Sequence, residues 1–103
     1  MHSTDAQMVV LTVLADGPRH GYAINTAIEE LTGRRLGPGS LYGALTRLEA
    51  RGLIEPATAE GEPADRQRTM QITDTGRTTL RTELEQLARV AQAGLRALGV
   101  KPA

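Results

Sequence analysis

The 103-residue sequence contains no cysteine, no phenylalanine and no tryptophan. Without cysteine there is no disulfide scaffold, no thiol nucleophile and no thiolate metal site. Two histidines, His2 and His20, stand far apart, which argues against an imidazole-rich metal centre. Aromatic rings are confined to Tyr22 and Tyr42, so the core must be aliphatic. No apolar run reaches the roughly 18 residues of a membrane span. The opening MHSTDAQM lacks a basic stretch followed by an apolar one, so no secretory signal is expected. P-loop and dinucleotide fingerprints are missing, and Glu29-Glu30 and Glu83/Glu85 read as solvated helix positions. These absences lead to the expectation of a soluble cytoplasmic protein that is not an enzyme, holds no cofactor or metal and touches no membrane.

What is present favours helix. Hydrophobic residues make up 40% of the chain and are dominated by Ala and Leu, both strong helix formers. A single small domain of this length buries only about two-thirds of its unfolded surface, which makes a second copy an expected partner. Twelve basic residues balance twelve acidic ones, yet they are unevenly placed. Arg34, Arg35, Arg47 and Arg51 face only Glu49 in their stretch. Glu55, Glu60, Glu62 and Asp65 follow, and then Arg66, Arg68, Arg77 and Arg81 against Asp74. Two basic patches flank one acidic loop, and a polyanion responds to that local polarity.

Periodicity supplies the order of elements. Asp5 to Ala15 reads as a helix after a Ser3/Thr4/Asp5 cap, with a buried strand as the alternative because the run is short and β-branched. Gly21 to Leu31 is amphipathic, with Ala23, Ile24, Ala27, Ile28 and Leu31 on one face and Asn25, Glu29 and Glu30 opposite. A basic linker, Arg34 to Gly37, leads to a third helix, Pro38 to Gly52, whose stripe is Leu41, Ala44, Leu45 and Leu48. Gly37 and Gly39 read as sites of backbone freedom beside Pro38. Strands at 53–57 and 68–72 follow, joined by a polar tip, with Met70 and Ile72 sharing one face. A last helix from about Thr73 or Asp74 to Leu98 carries Leu80, Leu84, Leu87, Ala91, Leu95 and Leu98, close to a coiled-coil seam. Roughly 25 residues at about 1.5 Å each give a rod of about 37 Å. That is long for so small a core, and the seam is expected to serve dimerisation.

Mainly α with a small β-hairpin, in this order, is the layout of a winged helix-turn-helix (residues 1–73) followed by a long C-terminal dimerisation helix and tail (residues 74–103). The third helix has an apolar back and an outer face of small, hydroxyl and Arg residues. Ser40 and Thr46 suit phosphates or base edges, and Arg47 suits guanine or phosphate bidentately. Tyr42, Arg51, Arg34, Arg35, His20 and Tyr22 are further DNA-contact candidates, and Arg66 and Arg68 would reach the backbone or minor groove from the wing.

The ordered series His20-Gly21-Tyr22, Gly39-Ser40-Leu41-Tyr42, Leu45-Thr46-Arg47-Leu48-Glu49, Gly52-Leu53-Ile54 and Ile72-Thr73-Asp74-Thr75-Gly76-Arg77 resembles the PadR family of bacterial transcription regulators. The single terminal helix is similar to the short subfamily. The resemblance implies a winged-helix repressor that dimerises through its C-terminal helix and binds a palindromic operator. It places Ser40, Tyr42 and Arg47 on the recognition helix and His20, Gly21 and Tyr22 at the start of the second helix, near the DNA backbone. This chain departs from the family pattern at Thr69-Met70, where a Tyr-Tyr pair is usual, at Gly43, where Pro is common, and at Thr46, where Lys or Arg is common. The expected function is a homodimeric, sequence-specific repressor on double-stranded DNA, released by a small-molecule effector. The alternative is a winged-helix protein–protein adaptor that does not bind DNA.

Overall fold

The computed structural model describes residues 3–57 and 68–100. Their order is α1 (Ser3–Leu14), α2 (Gly21–Thr32), α3 (Pro38–Ala50), β1 (Ile54–Pro56), β2 (Met70–Ile72) and α4 (Asp74–Ala97). This is the mainly helical architecture with a two-stranded hairpin that the periodicity predicts. Arg66 and the rest of the expected wing tip lie outside the described residues.

The strand alternative for the first element is overturned. α1 packs against α2, α3, α4 and β2, and Ala6, Val10, Leu11, Val13 and Leu14 are all buried. A helix covered on several sides needs no polar face, and tertiary burial overrides the weak strand preference of Val and Thr.

α2 buries Ile24 and Ile28 as expected and ends in a left-handed cap, Gly33 at φ 82°, whose N–H donates to the Glu29 carbonyl. Its face is rotated from the one expected. Leu31 is 57% exposed, beside a shallow depression shared with Thr12, Val13 and Asp16 where the ends of α1 and α2 leave it uncovered. Asn25, placed opposite the apolar stripe by sequence reasoning, is buried instead. Its side-chain N–H donates to the Leu36 carbonyl at 2.8 Å, and its Oδ1 accepts the Leu36 N–H at 2.8 Å. Leu36, read from the sequence as part of a basic linker, is itself in the core. Asn25 thereby fastens the strap that carries the chain into α3.

α3 buries Leu41, Ala44 and Leu48, with Leu45 half-buried. Neither Gly37 nor Gly39 adopts positive φ, so the expected backbone freedom is not used there. The helix closes with Gly52 N–H on the Glu49 carbonyl and Leu53 N–H on the Leu48 carbonyl, the Schellman arrangement, which sends buried Leu53 into the core.

β1 and β2 pair antiparallel with Ile54 opposite Ile72 and Pro56 opposite Met70. Ile54, Met70 and Ile72 face the core. Arg19, in the α1–α2 turn, adds a bridge to the free edge of β2 through two backbone hydrogen bonds with Met70, of 3.0 and 2.9 Å. The wing base is thus tied to the start of α2.

α4 begins on a Thr73 cap whose hydroxyl accepts from Gly76 N–H at 2.9 Å and donates to the Gly52 carbonyl at 2.7 Å. Gly76 presses on the α3–β1 turn, so closely that a Cβ there would collide with the Leu53 carbonyl and sit 2.8 Å from Ile72 Cγ1. Leu80 is buried in the chain's own core, which corrects its assignment to the dimer seam. Beyond it the helix projects: Leu84, Leu87, Ala91, Leu95 and Leu98 are all exposed, together with Val90, which the expected seam omitted. The molecule is 53 Å along its longest axis and 26 Å along the next.

Candidate nucleic-acid interface

The outer row of α3 follows from its inner one. With Leu41, Ala44 and Leu48 turned inward, a helical period of 3.6 residues turns Ser40, Tyr42, Thr46 and Arg47 outward, and all four are exposed. Gly43 lies between them. A Cβ at Gly43 would stand 3.0 Å from Arg47 Nη1, so the guanidinium runs back over the bare backbone toward the N-terminal end of the helix. The helix therefore presents a hydroxyl, a phenol and a guanidinium on one surface with little bulk between them.

The wing base closes one side of this surface. A cleft of about 160 Å³ is lined by Gly21, Tyr42, Thr46, Glu49, Arg68 and Met70. It brings Tyr42 and Thr46 of α3 together with Arg68 and the first turn of α2. His20, just before that turn, has its Nδ1 3.3 Å from the Thr69 hydroxyl. Arg68 Nη2 is 3.3 Å from Glu49 Oε1, an ion pair across the mouth of the cleft.

The remaining candidates are arranged differently. Tyr22 is 80% exposed, with the Arg35 guanidinium 5.5 Å from its ring centroid. Arg35 also pairs with Glu29 at 3.1 Å, so it is held along α2. Arg34 is exposed beside it. Arg51 is exposed, yet its Nη1 donates to Gln7 of α1 at 2.6 Å, which draws it away from the Ser40 end of the helix. Among the described residues Arg47 has no ion pair, whereas Arg35 and Arg68 each hold a carboxylate. Sequence reasoning missed Asn25 and the pairing role of Glu49. Asn25 carries one available signal, its position three residues before Ile28 and next to Ile24. No group of three or more metal-ligating side chains occurs among the described residues. No helix among them is long and apolar enough to cross a membrane.

A three-helix core, an outward-facing third helix and a two-stranded wing base against it define a winged helix-turn-helix fold. The comparisons agree. Residues 10–82 match the Transcriptional regulator PadR-like family, and the chain belongs to that family. Its members are transcriptional regulators and not enzymes. A Thermoplasma acidophilum protein assigned as a transcriptional regulator is 29% identical, with a TM-score of 0.68 over 92% of this chain and 93% of that one. A PadR-like transcriptional regulator of Bacillus cereus shares the fold at a TM-score of 0.77, with 20% identity and 92% of each chain covered. An uncharacterised 37.1 kDa protein in transposon TN4556 of Streptomyces fradiae is 55% identical over 91 residues. The match takes in 88% of this chain and only 25% of that longer protein.

Proposed function

We propose that this regulator is a homodimeric repressor that reads double-stranded DNA with α3. The observation that carries the reading is the surface of α3, a leucine-backed helix whose Ser40, Tyr42, Thr46 and Arg47 all face outward beside a wing cation. Arg47 is the base-reading or phosphate-clamping group, because a planar fork binds either bidentately. Tyr42, Thr46 and Arg68 supply contacts to the sugar–phosphate backbone, which fix register without reading sequence. The uncovered apolar stripe of α4 supports dimerisation, and a two-fold pair of α3 helices calls for a palindrome with half-sites about one helical turn, roughly 34–36 Å, apart. Release by a small molecule belongs to the same reading, through unequal affinity for two dimer arrangements.

The test is binding to the DNA flanking the chain's own reading frame, by footprint and by titration at several salt concentrations. A protected palindrome and a steep fall of affinity with salt are expected, since phosphate neutralisation releases counterions. The adaptor reading is favoured by the zero net charge of the chain. A flat salt response with no protected site would reject the repressor reading and favour the adaptor.

A further inference from the structure

The Glu49–Arg68 pair stands where an acidic group is least expected on a surface meant for a polyanion. Glu49 lies in the last turn of α3 and Arg68 at the base of the wing, and their ion pair spans the cleft that Tyr42 and Thr46 also line. One Nη2–Oε1 contact of 3.3 Å holds them. A guanidinium offers a fork that a phosphate fills with two parallel hydrogen bonds, so this contact, the only ion pair of Arg68 among the described residues, leaves it under-used. The side chains are 43% and 39% exposed, so water and salt screen the pair and it exchanges readily. Arg47, on the same helix, is left without any such partner among the described residues.

We propose that Glu49 is a built-in stand-in for a DNA phosphate. Its carboxylate occupies Arg68 in the free protein and gives the guanidinium up to a backbone phosphate on binding. The inference rests on the DNA-binding reading given above and adds a determinant of affinity to it. Backbone contacts supply the sequence-independent part of the affinity, and base contacts supply discrimination. An internal carboxylate on the wing cation subtracts from the first and leaves Arg47 free for the second. Affinity for every duplex falls by the same factor, and the discrimination made through Arg47 is kept.

The experiment uses the full chain, its Glu49→Gln and Arg68→Gln variants and the double variant, titrated with a random-sequence duplex. Thermal unfolding of each variant is expected to stay close to that of the parent, because the pair is exposed. Glu49→Gln is expected to bind about 1.4- to 5-fold more tightly, the worth of an exposed ion pair that no longer has to be broken, with little change of salt slope, because the same phosphate is neutralised in both chains. Arg68→Gln is expected to flatten the slope by about 0.9 in both backgrounds and to abolish the gain in affinity that Glu49→Gln brings. An equal gain from Glu49→Gln with and without Arg68 would show plain repulsion of DNA by a carboxylate and overturn the proposal. Weaker binding by Glu49→Gln would also overturn it, showing that the carboxylate positions Arg68 for DNA. A parent chain that binds no duplex at low salt would sink the DNA-binding reading itself, whereas salt-dependent binding by the parent with no effect of Glu49→Gln would sink only this inference.

Discussion

Replacing Asn25 by Ala tests how α3 is held in place. The amide makes two hydrogen bonds of 2.8 Å with the backbone of Leu36, one as donor and one as acceptor. Both are buried, and Leu36 and Ile24 around them are core residues. Removing the side chain deletes two bonds worth about 1 kcal/mol each and strands a buried N–H and a buried C=O, at about 1–3 kcal/mol per group. Water reaches part of this loss, because Arg35 and Gly37 on either side of Leu36 are exposed. The expected destabilisation is therefore about 2–4 kcal/mol, a large share of the roughly 5–15 kcal/mol that holds a domain folded. In a domain of this size it lowers the melting temperature by roughly 10–25 °C. Urea unfolding followed by helical circular dichroism measures it, with an unchanged m-value expected. Glu30→Ala, on the exposed side of the same helix, is the control and should stay within about 0.5 kcal/mol of the parent. A loss below about 1 kcal/mol for Asn25→Ala would refute the reasoning, since it would mean that the strap into α3 is held by Leu36 packing and not by the amide.

Three further outcomes are expected. Gly76→Ala should destabilise the fold by at least about 2 kcal/mol, because its methyl group meets the Leu53 backbone with no flexible side chain to move aside; near-parental stability in the same urea assay would contradict the close approach. Arg47→Ala should weaken binding to the footprinted promoter site by about 1–3 kcal/mol at fixed salt, and an unchanged titration curve would remove α3 from the interface. Leu87→Glu combined with Leu95→Glu should convert the proposed dimer to a folded monomer, since both side chains are exposed in the single chain, and sedimentation of the doubly substituted chain as a dimer would rule out pairing along α4.

Much of this fold was legible because local signals and burial agree. The Leu41–Leu48 stripe marks the inner face of α3, and Ser40 and Arg47 follow on the outer face from helical geometry alone. Met70 and Ile72 alternate with Gln71 as a strand with one buried side requires, and Thr73 caps α4. The misreadings share a cause, which is that they depend on contacts distant in sequence. Asn25 is polar and periodicity assigns it to water, yet its partner is eleven residues away, at a backbone invisible to periodicity. Leu36 sits among arginines and glycines, and only the strap's path along α2 buries it. Leu31 keeps the right spacing but passes beyond the neighbours that would cover it. Arg19 gives no strand signal, and its bridge to Met70 exists because the α1–α2 turn meets the wing edge. Within the candidate site, the outward residues of α3 were readable, whereas the partners that occupy Arg35, Arg51 and Arg68 were not.

The joint at the root of α4 sets how movement travels through the molecule. Thr73 is bonded to Gly52, and Gly76 is wedged against Leu53, so the helix is clamped to the residues that end α3 and begin the wing. About 20 residues extend beyond that clamp, a lever of about 30 Å at about 1.5 Å per residue. In a dimer paired along this lever, a tilt of about 10° at the far end would sweep each head by about 5 Å, a sizeable part of the roughly 34 Å between successive turns of a duplex. In the proposed dimer, a stiff root would turn a small adjustment between two tails into a change of stride between two heads, without any rearrangement inside either one.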